Sequence, residues 1–206
     1  MTLKWLPNAV TIIRCVLAIW VGWLILNMGA DLDGARPLGV WLFVPFLGFV
    51  LVAATDWLDG ALARSLNAVS SLGARLDPIA DKLLTGASLL TLANIDSWGL
   101  MLTLPAIAIV GRDLLVTGMR EAMGNPSDLK VSRAAKWKTA AALIAIGLTL
   151  FGMGLSGLVP NSESGSAAWL ASRAVLLAGI AGIWGAAVLS VVTAVDYVSA
   201  LTRQKT

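Results

Sequence analysis

Stretches free of Asp, Glu, Lys and Arg alternate with short polar segments along this chain, and six of them are long: 15 to 30, 37 to 55, 83 to 95, 97 to 111, 139 to 162 and 174 to 195. A helix needs about 20 residues to cross the hydrocarbon of a bilayer. The pattern predicts an all-α integral membrane protein with six transmembrane helices. Three of the runs, of 16, 13 and 15 residues, are too short to span alone. The first helix must therefore carry Arg14 into the membrane, the third Asp77, Asp81 and Lys82, and the fourth Arg112. An ionisable side chain at that depth is costly and usually faces a bundle interior or a wet cavity. The short runs thus mark a polar site.

Six spans place both termini on one side and make the connecting segments alternate between faces. Segments 1 to 14, 56 to 82, 112 to 138 and 196 to 206 hold 13 of the 15 Lys and Arg residues; only Arg36 and Arg173 fall on the other face. By the positive-inside rule both termini are cytoplasmic. Arg14 and Asn8 interrupt the start of the first apolar run and no small-residue cleavage site follows, so an uncleaved first helix is expected. The same lack of a targeting segment favours a bacterial plasma membrane. With no repeat and no long linker, residues 1 to 206 read as a single transmembrane domain, and 158 to 168 as an outer loop. Most of the nine Trp residues lie near predicted span ends, where the indole prefers the interface.

Composition sharpens this picture: 58% of the residues are hydrophobic and 13% charged, which sets soluble classes aside. The net charge of +3 follows from topology, with room for an anionic ligand, and needs no nucleic acid partner. There is no His, which excludes His-based triads, zinc sites built on His and a His general base. The single Cys15 excludes an intrachain disulfide and reads as a small buried hydrophobe.

The densest chemical signal is segment 56 to 81, DWLDGALARSLNAVSSLGARLDPIAD. Asp56 and Asp59 share one helix face at the end of the second helix, and Asp77 and Asp81 share another at the start of the third. Pro78 favours a first turn, which makes Asp77 a candidate N-cap. Antiparallel neighbours joined by a short loop bring the pairs together, and four carboxylates there repel unless a positive charge lies between them. Hard divalent cations meet that need with oxygen ligands. A pair of ions about 3.5 to 4 Å apart would clamp an in-line phosphoryl displacement. Gly60 and Gly73 let a bulky ligand approach the backbone, and Arg64 can hold a phosphate in its planar fork.

The pattern Asp56-x2-Asp59-Gly60-x2-Ala63-Arg64-x8-Gly73-x3-Asp77-x3-Asp81 resembles, at all eight positions, the signature of the CDP-alcohol phosphotransferases. The resemblance implies the six-helix CDP-alcohol phosphotransferase fold, a homodimer with a site open to the cytoplasm, and transfer of a phosphatidyl group from a CDP-linked lipid to an alcohol with release of CMP. Carried over, Asp56, Asp59, Asp77 and Asp81 are metal ligands, for two Mg2+ or Mn2+ ions, and Asp81 is also the general base. Gly60, Ala63, Arg64 and Gly73 shape the CDP-lipid pocket.

Three further stretches resemble the branch that takes glycerol 3-phosphate as acceptor and makes phosphatidylglycerophosphate. These are Leu6-Pro7-Asn8-Ala9-Val10-Thr11-Ile12-Ile13-Arg14, then Gly111-Arg112-Asp113 with Arg120-Glu121, and Lys136-Trp137-Lys138-Thr139. The branch's Arg-Glu step is Arg112-Asp113 here. Asn8, Thr11 and Arg14 form a polar one-face set and are expected to line the pocket, Asn8 and Thr11 on the CDP-lipid side. Arg112, Arg120, Lys136 and Lys138 converge on the cytoplasmic mouth, and a doubly negative glycerol phosphate needs such a cluster. Lys130 and Arg133 read as lipid-headgroup contacts. The partners are then CDP-diacylglycerol, glycerol 3-phosphate and membrane lipid. Two alternatives stay open: another acceptor (phosphatidylglycerol, inositol phosphate or serine), and a cation transporter without chemistry. A transporter site usually lies near the midplane, whereas these carboxylates gather at one face. In the last helix, Ala178 with Gly182 and Ala181 with Gly185 permit close approach, at a dimer seam or in internal packing.

Overall fold

A computed structural model describes the backbone of residues 6–30, 39–66, 71–122, 133–159 and 164–203, and side chains within 11–29, 41–55, 82–119, 137–159 and 164–197, besides residues 79 and 199. Among the described residues it is all helical: α1 (Leu6–Ala30), a 3-10 turn (Val40–Phe43), α2 (Val44–Leu66), α3 (Ser71–Ile95), α4 (Leu100–Ala122), α5 (Arg133–Leu158) and α6 (Ala167–Arg203). The six helices follow the six apolar runs. Four are long and apolar enough to cross a membrane over Thr11–Gly29, Leu100–Met119, Trp137–Leu158 and Ala167–Tyr197, while α2 and α3 carry shorter apolar segments, Trp41–Thr55 and Lys82–Ile95.

The helices outlast their apolar runs at the charged ends. α2 continues past position 55 to Leu66, α4 past 111 to Ala122 and α6 past 195 to Arg203, while α3 starts at Ser71, twelve residues before its run. Asp77 is therefore six residues inside α3 and not its cap, because Leu72, Ala74, Arg75 and Leu76 are good helix formers that carry the helix back to Ser71. At the opposite end α2 starts late, at Val44, with Pro45 in its first turn. The preceding 3-10 turn seats Leu42 and Phe43 against Gly157 and Gly154 of α5.

Burial follows a membrane bundle's pattern, with apolar side chains both inside and out. On α1, Thr11, Arg14, Ala18, Val21, Ile25 and Met28 are buried at alternating three- and four-residue steps, while Ile12, Ile13, Val16 and Ile19 are exposed. The buried stripe is apolar for most of its length and polar at its N-terminal end. Hydroxyls inside the bundle mostly return their protons to their own helix: Thr149 Oγ1 donates to the Ala145 carbonyl at 2.9 Å and Thr193 Oγ1 to that of Leu189 at 2.8 Å.

α3 passes to α4 through a tight turn. The Trp98 amide donates to the Ala93 carbonyl at 2.8 Å and the Ser97 amide to that of Asn94 at 2.9 Å, a Schellman closure with Ser97 left-handed at φ 50. Pro105 then interrupts α4 and cannot donate to the Met101 carbonyl. The freed carbonyl accepts instead from the Trp184 indole nitrogen of α6, at 3.0 Å. Trp41, Trp98, Trp137 and Trp169 lie at helix ends as expected, whereas Trp20, Trp23 and Trp184 lie well inside their helices. Trp184→Phe keeps most of the ring and removes the donor; we expect a cost of about 1 kcal/mol, or roughly 2 to 4 °C in thermal midpoint for a chain of this size. An unchanged midpoint in detergent would show that the Met101 carbonyl does not depend on this bond.

The tightest seam joins α5 to α6. A Cβ placed on Gly152 would lie 2.6 Å from the Leu176 Cα, one on Gly179 2.5 Å from the Thr149 nitrogen, and one on Gly182 2.9 Å from the Ala145 Cβ. Gly182 thus belongs to internal packing, while Ala178, Ala181 and Gly185 face outward.

Candidate functional site

Helix register locates the polar ends. Gly22 of α1 adjoins Ala87 of α3 and Gly29 adjoins Ile95, so the two helices run parallel with an offset of about 65 residues, and Thr11 and Arg14 fall level with positions of about 76 to 80 on α3. Asp77 and Asp81 occupy that level. α2 runs antiparallel, with Gly48 set against Trp20, Val21 and Leu24 of α1. Asp56 and Asp59 stand eight and eleven residues further along α2 from Gly48, and Arg14 and Thr11 stand eight and eleven residues back along α1 from Gly22. The polar end of the buried α1 stripe therefore shares one level of the bundle with the four aspartate positions. Thr11 is 5% exposed and Arg14 4%, so both face the interior as the one-face spacing predicts.

The side chains of Asn8, Asp56, Asp59, Gly60, Ala63, Arg64, Gly73, Asp77 and Asp81 lie outside the described residues, although α1, α2 and α3 carry them. So do those of Arg120 and Lys136. Among the described residues no three acidic or Cys side chains converge on one point. The four aspartate positions on the shared level offer carboxylate oxygens in a chain without His, and such a set would suit a hard, oxygen-seeking divalent ion.

On the neighbouring helices a second group is described in full. Lys138 of α5, 3% exposed, donates from Nζ to Asp113 Oδ1 of α4. The same oxygen accepts from Arg112 Nη1 at 3.1 Å. One turn on, Thr117 Oγ1 donates to the Asp113 carbonyl at 2.7 Å and accepts from Lys82 Nζ of α3. Two cations thus grip one carboxylate, and Lys82 joins them through Thr117, on a site shared by α3, α4 and α5. Arg112 and Lys138 meet on Asp113. Asp113 stood out in the sequence only as a departure from a motif, yet it is the hub; its signal was an acidic residue deep in a helix whose apolar run is short. Thr117 carried no signal.

Residues 4–192 match the CDP-alcohol phosphatidyltransferase family, and the chain belongs to it. Within that family, it is 33% identical over 213 residues to the CDP-diacylglycerol–glycerol-3-phosphate 3-phosphatidyltransferase of Cereibacter sphaeroides, with 93% of each chain covered. Proteins of the same name from Rickettsia typhi (36% over 182 residues; 86% of this chain and 94% of the relative) and Rickettsia bellii (35% over 202 residues; 96% of each) are similarly related.

Proposed function

We propose that this chain transfers the phosphatidyl group of CDP-diacylglycerol to glycerol 3-phosphate, forming phosphatidylglycerophosphate and CMP. The observation that supports the choice of acceptor is the basic group in which Arg112 and Lys138 meet on Asp113, with Lys82 joined through Thr117, beside the level of the four aspartates. A dianionic phosphate monoester is attracted there, whereas a neutral acceptor such as serine has little use for it. The names of the relatives accord with this reading.

Asp56, Asp59, Asp77 and Asp81 would hold divalent metal, in our reading a pair of Mg2+ or Mn2+ ions. Metal bound there would neutralise the diphosphate and ease the departure of CMP. Gly60, Ala63, Arg64 and Gly73, with Asn8 and Thr11, would seat the CDP-lipid. Arg112 and Arg120, with Lys136, would draw in the acceptor phosphate, while Lys138 is committed to Asp113. Asp81 accepts the proton of the acceptor's free primary hydroxyl as that oxygen attacks the phosphorus bearing the diacylglycerol. The bond from that phosphorus to the CMP oxygen breaks as the new ester forms.

We read residues 1–206 as one catalytic unit with six spans, since α2 and α3 continue as helix beyond their shorter apolar segments. Both termini and the site are cytoplasmic in this reading, in a bacterial plasma membrane, and the protein is a homodimer. The test is purified protein in detergent with CDP-diacylglycerol labelled in the CMP moiety and a panel of acceptors, with and without EDTA. Release of CMP with glycerol 3-phosphate, abolished by EDTA and restored by Mg2+, is expected. Absence of release with every acceptor would overturn the enzyme reading, and release with inositol phosphate alone would overturn the acceptor.

A further inference from the structure

Arg112 and Lys138 carry the same charge but stand differently. Lys138 is 3% exposed, and its ammonium group is committed to Asp113. Arg112 gives only Nη1 to Asp113, at 3.1 Å, while its Nε–H is buried with no hydrogen-bond partner among the described residues. A guanidinium presents several donors in a fixed plane, so holding one of them fixes the direction of the rest. A buried donor without a partner is costly unless a ligand completes it. The carboxylate that fixes Arg112 is itself fixed: Lys138 grips it from α5, and Thr117, held to the Asp113 carbonyl at 2.7 Å and to Lys82, ties that turn of α4 to α3. Lys82 is the residue directly after Asp81, so the same chain of bonds joins the acceptor side to the helix carrying the base.

We propose that Asp113 is a positioning residue that turns the unused edge of the Arg112 guanidinium toward the acceptor phosphate, with Lys138 as its buried counter-charge instead of a phosphate ligand. The inference rests on the acceptor reading above and deepens it. Electrostatics alone predicts the reverse sign. Removing the Asp113 charge makes the cluster more positive and should strengthen its attraction for a dianion, whereas loss of positioning weakens binding.

The decisive measurement is steady-state kinetics of Asp113→Asn, Asp113→Glu and the double variant Asp113→Asn with Lys138→Met, each with inhibition by inorganic phosphate. The double variant removes both members of the buried pair, so it guards against a fold lost to an unpaired ammonium. Expected for Asp113→Asn and for the double variant is a KM for glycerol 3-phosphate raised about 10- to 100-fold, the range of a charge-assisted contact, with the phosphate inhibition constant rising in step. The KM for CDP-diacylglycerol should stay within about twofold and kcat within about threefold, with Asp113→Glu closer to the parent chain. A lowered or unchanged KM for glycerol 3-phosphate in the double variant, or equal rises in both KM values, overturns the proposal. Parent protein that turns over only a non-phosphorylated acceptor overturns the acceptor reading, and this inference with it. Parent activity with glycerol 3-phosphate and no shift in the double variant overturns the inference alone.

Discussion

Asp81→Asn is expected to reduce turnover by at least about 10³-fold, near the upper part of the range for losing a general base, while affinity for the CDP-lipid falls by less than about tenfold. The substitution is isosteric, so the helix and its packing should survive. In the proposed reading it removes the group that takes the acceptor's proton and one of four anionic metal ligands. With no His in the chain, a base must come from another residue type. Asp81 sits on the level shared by Arg14, Asp56 and Asp77, next to a lysine anchored to α4 through Thr117. Release of labelled CMP in single-turnover mixtures measures the first quantity, and retention of the CDP-lipid on immobilised protein the second. Turnover within about tenfold of the parent would remove Asp81 from the role of base. Loss of CDP-lipid binding equal to the loss of turnover would make it a binding ligand first.

The sequence made the level of the site legible better than its wiring. Short apolar runs at 15 to 30, 83 to 95 and 97 to 111 forecast where charged residues enter the bundle, because a helix must reach the required length with whatever residues adjoin its run. The structure has α1, α3 and α4 continuing through those residues, with Arg14 4% exposed and the Arg112 side chain 15%. Helix boundaries were less legible. Pro78 suggested a helix start that the good helix formers of 71 to 76 override, and the apolar run from 37 hid a 3-10 turn whose form depends on glycines more than a hundred residues away. The Asp113 hub depends on a partner 25 residues along the chain and on the rotation of α4 against α5. Spacing within one helix cannot specify that rotation. The outward small residues of α6 illustrate the same limit: Gly182 and Ala181 are neighbours in sequence, yet only Gly182 meets α5.

Gly179→Ala should destabilise the protein by at least the roughly 1 to 3 kcal/mol typical of an overpacked core, and Gly179→Leu should leave little folded protein to purify. The added Cβ would fall 2.5 Å from the Thr149 backbone nitrogen and 2.8 Å from its Cα. Backbone atoms cannot rotate aside as a flexible side chain can, so α6 must move away from α5. That displacement would also open the contacts of Gly152 with Leu176 and of Gly182 with Ala145, which share the seam. In lipid there is little hydrophobic force to hold loosened helices together, because the solvent is as apolar as the core; close van der Waals packing is the term being lost. Gly185→Ala, two turns along the same helix, provides the opposite case. It has open space within 4 Å and faces outward, so replacing glycine inside a helix should be neutral or stabilise by up to about 1 kcal/mol. Thermal midpoints of the two alanine variants, read in one detergent against the parent chain, should therefore move in opposite directions or leave Gly185→Ala unmoved. A midpoint for Gly179→Ala equal to that of the parent would mean that the two helices do not touch there as closely as the packing of Thr149 requires.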